Sequence, residues 1–300
     1  MKIKSLKRLP YKFLVQIPFL RNLLLQLLNK SNYRIKAHLW DMLSTKPPLF
    51  FTKDKMIKTN TESGNYYISP LRKDYFKLDW CLLFSMGHDI EVKNYYTKIL
   101  KIKKPRKFID IGGNYGLHSA IFSSYGVPVV SVEPNPECVE RIILLNQINN
   151  FKNKIIQKAM GDTKGSLCLI WPKGATWLGT VVNCNQNFNL SQDFETAQVE
   201  VSTIDQEGLI DSKDILIKID VEGFEVNVLR GAINSIKKFS PVIIFESVDN
   251  NSRLDLYKFF ESIDYCIESL DFQNSRKYNI AEDFQLSKET NYIATKNLTN

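Results

Sequence analysis

A glycine-rich turn between two apolar runs constrains the fold of this chain more than any other stretch. Residues 108–111 predict a short buried strand, which runs into the turn 110–116, Asp-Ile-Gly-Gly-Asn-Tyr-Gly. Residues 117–124 then predict a helix, and the apolar run 127–132 predicts a second strand that ends in Glu133. A strand, a glycine-rich turn, a helix, a strand and an acid in this order are the layout of a nucleoside-cofactor site.

The residues of the turn distinguish two classes of nucleoside cofactor. Gly112 and Gly116 let the backbone turn tightly and approach a ligand closely, and Glu133 is placed to accept hydrogen bonds from both ribose hydroxyls. Asp110 would repel the pyrophosphate of NAD at this position, but it would attract the ammonium and sulfonium of S-adenosylmethionine. The turn has the pattern Asp-x-Gly-x-Asn-x-Gly, with Asn114 at its fifth position, and so differs from the three-glycine pattern of dinucleotide sites. The turn therefore predicts a methyl-donor site, and an ordinary βαβ turn with Asp110 as a helix cap is the structural alternative.

Three motifs of the chain resemble the FkbM family of S-adenosylmethionine-dependent methyltransferases. They are the turn 110–116, Glu133-Pro-Asn-Pro136, and Ile217-Lys-Ile-Asp-Val-Glu-Gly-Phe-Glu225. The resemblance implies a class I Rossmann-like methyltransferase fold, S-adenosylmethionine as cofactor, and O-methylation of sugar or natural-product hydroxyls. The family more often has alanine where Gly113 stands, a departure that leaves the turn able to form. An acid in the place of Glu91 often precedes the first strand in the family, where it would border the cofactor; a carboxylate favoured by the helix dipole is the alternative.

The chain as a whole predicts an α/β protein with a doubly wound, mostly parallel sheet and an antiparallel end strand. Residues 1–45 predict a basic amphipathic helical extension, residues 46–104 a linker and pre-domain segment, and residues 105–300 the methyltransferase domain. Within the domain we expect a third strand at 155–159 and a single helix at 225–238.

The positive charge of the chain is confined to its N-terminus. The whole chain carries +8, but residues 1–58 hold 13 Lys and Arg against two acids, so the remainder carries −3. A slightly acidic catalytic part argues against a nucleic-acid acceptor. The apolar run 13–28 is too short and too interrupted to span a membrane. Two interpretations of residues 1–30 stay open: a helix lying on an anionic membrane surface, or a helix packed on its own domain or on a partner.

Five cysteines lie far apart without a CxxC pair: Cys81, Cys138, Cys168, Cys184 and Cys266. This spacing argues against a zinc site and against a disulfide framework, and it favours a reducing compartment. The prediction is therefore a cytoplasmic protein, with the inner face of the membrane as the place where a basic N-terminus would act.

Two further positions are candidates for contact with the cofactor. Asn135, followed by Pro136, is a good N-cap for a helix over 136–149, so a contact with ribose or adenine would be additional. Asp162 follows the third strand, where related folds hold the adenine; a residue of a Gly-Asp turn is the alternative. The long segment 171–194, with Trp171 and Trp177, predicts either a lid over the acceptor or a surface loop.

Carboxylates stand at the ends of four predicted strands: Asp110, Glu133, Asp220 and Glu246. Because ligands bind outside the carboxyl ends of an open parallel sheet, these acids predict one electronegative cleft. A sugar hydroxyl needs a general base, for which Asp220 is the first candidate, Glu222 the second and His118 the third. Asp220 and Glu222 are alternatively placed to orient the acceptor or to bind a divalent cation; no residue is assigned as a metal ligand, and metal dependence stays open.

The sequence thus predicts an S-adenosylmethionine-dependent O-methyltransferase that acts on a sugar hydroxyl of a cell-surface glycan, a glycolipid or a natural product. The acceptor would be a small molecule or glycan and not a nucleic acid. An NAD-dependent oxidoreductase and a non-catalytic cofactor-binding scaffold are the rival functions. The oligomeric state is not predicted.

Overall fold

A computed structural model describes residues 57–61, 64–68, 89–173, 176–184, 193–248, 250–270 and 275–297 of the 300-residue chain. The predicted extension at residues 1–45 lies outside these ranges, and so does the membrane contact predicted as one interpretation of residues 1–30. The larger of two compact units includes residues 89–297 of the described part, and it holds both of the larger sheets.

The strands and helices are numbered here in chain order. The strands are β1 (Ile57–Thr61), β2 (Gly64–Ile68), β3 (Lys107–Ile111), β4 (Val129–Val132), β5 (Lys154–Ile156), β6 (Ala159–Met160), β7 (Gly165–Pro172), β8 (Thr180–Val182), β9 (Phe194–Ser202), β10 (Ile215–Ile219), β11 (Val242–Glu246), β12 (Tyr265–Ser269), β13 (Lys277–Tyr278) and β14 (Asn291–Lys296). The helices are α1 (Ile90–Ile102), α2 (Leu117–Ser124), α3 (Pro136–Asn149), α4 (Glu225–Arg230), α5 (Ile233–Phe239), α6 (Asn250–Ser262) and α7 (Ala281–Gln285).

The central sheet has eight strands in the order β13-β12-β14-β11-β10-β3-β4-β5. Strands β5, β4, β3, β10 and β11 pair in parallel, and β14 is antiparallel to both of its neighbours. The chain runs outward from β3 to β5 on one side and from β10 to β11 on the other, so the order reverses between β3 and β10. This confirms the predicted class I Rossmann-like fold, and it places the ligand crevice outside the carboxyl ends of β3 and β10.

The residues of the central strands are buried because helices cover both faces of the sheet. All five residues of β10 are buried, as are four of five in β3, which is the continuous apolar pattern of a covered parallel strand. On one face, the ring of Tyr96 from α1 packs at 5.7 Å from Phe108 and 4.7 Å from Phe122. Helix α1 is therefore packed against β3 and α2, the strand and the helix that flank the glycine-rich turn.

Two predicted elements are divided in the structure. The third strand ends at Ile156, and Ala159–Met160 forms β6, which pairs with β9 in a separate four-stranded sheet. The predicted helix 225–238 is two helices, because the carboxylate of Asp205 accepts the backbone N–H groups of Asn234 and Ser235 and so caps a second helix.

The expectation that the cysteines form no disulfide is wrong for one pair. Cys168 and Cys184 form a disulfide with their Cα atoms 5.0 Å apart. Cys168 lies opposite Val182 in the antiparallel pair β7–β8, which brings Cys184 within reach although 16 residues separate the two cysteines in sequence. Among the helices that the structure describes, none is both long enough and apolar enough to cross a bilayer.

Candidate cofactor and active site

The glycine-rich turn lies where β3, β4 and β10 end, and its backbone is hydrogen-bonded to the end of β4. The N–H groups of Gly112 and Gly113 both donate to the carbonyl of Val132, at 2.9 and 3.0 Å. Gly112 has φ +79°, and a Cβ there would lie 1.8 Å from the carbonyl oxygen of Asp220. A Cβ on Gly113 would lie 3.6 Å from its nearest neighbour, so the alanine that the family favours also fits. Of these two glycines, only Gly112 must lack a side chain, because the backbone at the end of β10 approaches it closely.

Glu133 joins the turn to the start of α3. Its Oε2 accepts the N–H of Asn114 at 2.8 Å, and its Oε1 accepts the N–H of Asn135 at 2.8 Å. The side chain of Asn135 caps α3 by accepting the N–H of Glu137, as predicted. Burial raises the pKa of Glu133 to about 7, although the two N–H bonds oppose that rise. Three predicted cofactor residues, Asn114, Glu133 and Asn135, therefore meet at one place.

Asp110 is fully buried beneath the turn and holds α2 in position. Its Oδ2 accepts both the backbone N–H of Ser119, at 3.1 Å, and the Ser119 hydroxyl, at 2.7 Å. That hydroxyl also contacts the hydroxyl of Ser131 on β4 at 2.7 Å. The Oδ1 atom has no hydrogen-bond partner among the described residues. One oxygen of Asp110 thus has a structural role, while the other is a buried acceptor available to a ligand.

Asp162 lies on the second sheet, apart from the contacts that join the turn to Glu133. It follows β6, is exposed, and accepts a 3.4 Å hydrogen bond from Nδ2 of Asn227 on α4. The predicted cofactor residue Gly116, by contrast, is the last residue of the turn, where it has φ +75° and directly precedes α2. Of the predicted cofactor residues, Asp162 is therefore the one whose described bonds lead to α4 and not to the turn.

Three acids cluster at the carboxyl ends of β10 and β11. Asp220, Glu222 and Glu246 each offer one oxygen, and these oxygens lie within 4.8 Å of one another. The ammonium of Lys218, whose side chain is 2% exposed, lies 2.5 Å from Oδ2 of Asp220. Oxygen ligands of this kind suit a divalent cation, but the Lys218 ammonium already neutralises Asp220. The cluster therefore carries less net negative charge than three free carboxylates would offer such an ion.

The three carboxyls differ in their affinity for a proton. Burial would raise the pKa of Asp220, but the charge of Lys218 and the hydrogen bonds from Glu246 and Lys218 together outweigh burial and hold this pKa below its ordinary value. Burial and the neighbouring Asp220 charge raise the pKa of Glu246 to about 9. Although Glu222 is exposed as a residue, partial burial of its carboxyl, with the charges of Asp220 and Glu225, raises the pKa of Glu222 to about 7. At neutral pH Glu246 is therefore a neutral acid that donates to Asp220, and Glu222 is poised between its two forms.

His118, the third candidate base, is engaged with Asp89 at the start of α1. Its Nε2 lies 3.2 Å from Oδ2 of Asp89, and Oδ1 of Asp89 accepts from Nδ2 of Asn291 at 3.5 Å. Nδ2 of Asn291 also donates to Oε1 of Glu91 at 2.9 Å. Burial and the charge of Lys218 lower the pKa of His118. Sequence reasoning missed Asp89 and Asn291; an aspartate directly before a helix is a signal for the first, and no sequence signal indicates the second.

The hairpin β7–β8 reaches the site through two threonines. The hydroxyl of Thr176 donates to the buried Tyr115 hydroxyl at 2.9 Å, and the hydroxyl of Thr180 donates to the carbonyl of Glu222 at 3.3 Å. Trp171 is buried in the second sheet, where its indole N–H donates to Glu195 at 2.8 Å. Trp171 thus packs in the hydrophobic cluster of the second sheet. The connection between β7 and β8 forms one wall of the site, beside the glycine-rich turn and Glu222.

Comparison with known proteins matches the Methyltransferase FkbM domain to residues 110–274. The hexuronic acid methyltransferase AglP of Haloferax volcanii is 25% identical over 139 residues, which cover 45% of this chain. The chain spans about half the length of this curated relative, since 53% of AglP is covered.

Solved structures to which the chain is similar include methyltransferase FkbM from Methylobacillus flagellatus KT and an O-methyltransferase from Bacillus cereus in complex with SAH. The first is 17% identical with a TM-score of 0.42, over 75% of this chain and 56% of the other. The second is 11% identical with a TM-score of 0.40, over 76% of this chain and 93% of the other. Because the family domain covers more than half of the residues, the chain belongs to the FkbM family of methyltransferases.

Proposed function

We propose that this protein methylates a hydroxyl group of a sugar, in a glycan, a glycolipid or a glycosylated natural product, with S-adenosylmethionine as donor. The observation that carries the proposal is the position of Glu222, an exposed carboxyl with a pKa of about 7, beside the turn that would hold the donor. A base with a pKa near neutrality, next to the donor, is what transfer to a weakly acidic hydroxyl needs. The name of the relative AglP supports a sugar as acceptor.

The described residues fit the proposed donor. Glu133 keeps lone pairs for a ribose diol after accepting two backbone N–H groups, and the buried Nδ2 of Asn135 has no partner among the described residues. Oδ1 of Asp110 is a buried acceptor suited to a cationic group. When bound, the donor supplies an electrophilic methyl group. The protein's part is to hold the donor and acceptor in line and to remove a proton from the acceptor.

Glu222 is better suited than Asp220 to remove that proton. The Lys218 ammonium and the protonated Glu246 both stabilise the Asp220 carboxylate, which makes it a weak base. We assign Asp220 instead to orienting the acceptor, because its charge is already balanced by Lys218. Glu222 has φ +51° and is followed by Gly223 with φ +98°, so the backbone turns sharply here and keeps the Glu222 carboxylate within 4.8 Å of those of Asp220 and Glu246. His118 donates to Asp89 and is assigned a positioning role.

The wall formed by the hairpin supports the same acceptor assignment. Thr176 and Thr180 fix the tip of the hairpin on Tyr115 and on Glu222. Leu178, between them in sequence, is 51% exposed. An exposed apolar side chain on a wall that is hydrogen-bonded to the backbone of Glu222 would offer a sugar a face to pack on, and the carboxyl would offer a hydrogen-bond acceptor. The acceptor is accordingly proposed to lie between Leu178 and Glu222.

The location of the protein is also a proposal. The disulfide between Cys168 and Cys184 removes the argument from cysteine spacing for a reducing compartment. A cytoplasmic protein near the inner face of the membrane is still favoured by the basic N-terminus, and the acidic remainder of the chain favours a glycan over a nucleic acid.

The test is methyl transfer from radiolabelled S-adenosylmethionine by the full-length protein to neutral glycans, hexuronic acid glycans and lipid-linked sugars. Glu222→Gln is expected to lower kcat about 100-fold while it leaves the affinity for S-adenosylhomocysteine unchanged. Glu140→Gln, an exposed acid on α3, is the matched control and should be fully active. Transfer by Glu222→Gln at the wild-type rate would refute the base assignment. A wild-type protein that binds no S-adenosylhomocysteine would refute the function.

A further inference from the structure

The central sheet carries charges of opposite sign at its two edges. The carboxyl ends of the parallel strands hold the acids of the site, among them Glu133, Asp220 and Glu246. The amino ends of β5, β4, β3, β10 and β11 lie along the other edge, because these strands pair in parallel. The slightly acidic balance of residues 59–300 is therefore an average over two unlike ends. Exposed cations at the amino edge include Lys101, Lys104, Arg106, Lys154, Lys213 and Lys238.

Hydrogen bonds between neighbouring connections make the amino edge one continuous surface. The backbone N–H of Arg106, before β3, donates to the carbonyl of Asp214, before β10, at 2.8 Å. Nζ of Lys104 donates to the carbonyl of Tyr125, directly after α2, at 3.0 Å. Parallel strands lie about 4.8 Å apart, so the five strand starts span about 20 Å. An edge of this width can face an extended charged surface and not only a single small anion.

The aspartates before β10 leave the outer cations of this edge unbalanced. Both aspartates already form ion pairs with lysines, at 2.6 Å for Lys107–Asp211 and at 2.7 Å for Lys103–Asp214. Lys101, Lys104 and Arg106 form no ion pair with any residue that the structure describes. Their charges are therefore available to an anionic partner.

Apolar side chains lie among these cations. Ile102, the last residue of α1, is 74% exposed and has a lysine on either side in sequence. Nζ of Lys104 lies 5.7 Å from the ring centre of Tyr125, and Nζ of Lys238 lies 4.9 Å from that of Phe239. Phosphates of a nucleic acid or carboxylates of a glycan offer no apolar layer to such side chains, whereas acyl chains below anionic headgroups do. The mixture of cations and apolar groups favours a lipid surface over a soluble polyanion.

We propose that the amino edge of the central sheet docks on an anionic lipid surface. Ile102 inserts below the headgroups, while Lys101, Lys104 and Arg106 contact their phosphates. The acids at the carboxyl edge then face away from the lipid. This surface is distinct from residues 1–30, which lie outside the described part of the chain. The inference goes beyond the proposed function, since docking requires neither donor nor acceptor.

Co-sedimentation of the full-length protein with lipid vesicles tests the docking. One set of vesicles contains phosphatidylcholine alone, and the other contains equal parts of phosphatidylcholine and phosphatidylglycerol. The wild type is expected to bind the anionic set only, and less tightly as the salt concentration rises. The triple variant Lys101→Gln/Lys104→Gln/Arg106→Gln should weaken this binding about 100-fold, because each Lys or Arg near an anionic surface contributes about fivefold.

Two further variants separate the two parts of the proposed contact from the overall charge of the protein. Ile102→Ser removes only an exposed apolar side chain and should weaken binding to the anionic vesicles about 10-fold. Lys164→Gln/Lys173→Gln/Lys288→Gln is the matched control, because it removes three exposed lysines from the second sheet and from the segment before β14. It should bind the vesicles as the wild type does. Circular dichroism of each variant checks that it is folded.

The docking assignment is wrong if the wild type binds neither vesicle set or binds both equally. It is also wrong if the triple variant of the amino edge keeps the wild-type affinity, or if the control loses as much. A duplex RNA oligomer, followed by fluorescence anisotropy, tests the rival partner. If the triple variant weakens RNA binding while Ile102→Ser leaves vesicle binding unchanged, the edge binds a polyanion and not lipid.

Loss of anionic-vesicle binding in both variants of the amino edge, with the control unaffected, is the result that supports the docking. Binding of S-adenosylhomocysteine takes no part in these measurements. The docking and the proposed function are therefore tested separately, and either can fail without the other.

Discussion

Replacement of Glu246 by glutamine should stabilise the protein, and the gain should increase with pH. Glu246 ends β11 beside Asp220, and burial together with the Asp220 charge and the hydrogen bond to Asp220 raises its pKa to about 9. The carboxyl is therefore protonated in the folded protein at neutral pH. Glutamine has nearly the same shape, cannot titrate, and offers an N–H donor where the protonated acid offers an O–H.

The magnitude follows from proton linkage. An unfolded glutamate has a pKa of about 4.3, so between that pH and about 9 the folded state binds one proton more than the unfolded state. The Glu246 contribution to stability is then greatest below pH 4.3 and falls by about 1.4 kcal/mol for each pH unit up to about 9. From pH 6 to pH 8 the wild type should lose about 2 to 3 kcal/mol relative to Glu246→Gln.

Urea denaturation of both proteins at pH 6, 7 and 8, followed by circular dichroism, measures this difference. Glu282→Gln, at an exposed position of α7, is the matched control and should follow the wild type at each pH. A difference between Glu246→Gln and the wild type that stays constant from pH 6 to 8 would refute the reasoning, because it would mean that Glu246 has the same charge in the folded and unfolded states.

Two other substitutions test the geometry below the site. Gly112→Ala should destabilise the protein by about 2 to 6 kcal/mol and lower Tm, because its Cβ would lie 1.8 Å from a carbonyl oxygen in a left-handed backbone; Gly113→Ala, with a nearest neighbour at 3.6 Å, should change Tm little. Lys218→Met should cost about 3 to 5 kcal/mol in urea denaturation at pH 8, since Asp220 loses its buried partner. That cost should shrink at pH 5, because Asp220 without Lys218 takes up a proton; an equal cost at both pH values would contradict the pairing.

The parts of the fold that the sequence predicts well are those fixed by neighbours in the chain. The helix 117–124 and the helix 136–149 have their predicted bounds, because Gly116 and Asn135 determine where each begins. The doubly wound, mostly parallel sheet follows from alternating strands and helices, and the glycine spacing identifies the turn. In each of these cases the decisive contacts lie within a few residues of one another.

The features that the sequence does not predict depend on contacts between distant residues. Asn291 bonds Glu91, 200 residues away, and the start of α5 is set by Asp205, about 30 residues before it. The disulfide depends on the register of β7 against β8, which brings Cys184 beside Cys168. Spacing in sequence carries no information on such a register, so the distance between Cys168 and Cys184 in sequence could not exclude a disulfide.

The order of the candidate bases shows how one buried cation changes the chemistry of a site. From sequence alone Asp220 comes first, since it ends a buried strand, and Glu222 second. Alternation along the chain at the end of β10 places Lys218 and Asp220 on the same face of the sheet. Lys218 is buried on that face. Its ammonium lies 2.5 Å from the Asp220 carboxylate and keeps it ionised. Asp220 stays ionised while its neighbour Glu246 is protonated at neutral pH. Glu222, which does not contact Lys218 directly in the described bonds, has a pKa of about 7. A sequence shows that lysine and both acids are present, but the burial that orders their proton affinities arises only when α1 and α2 cover the sheet.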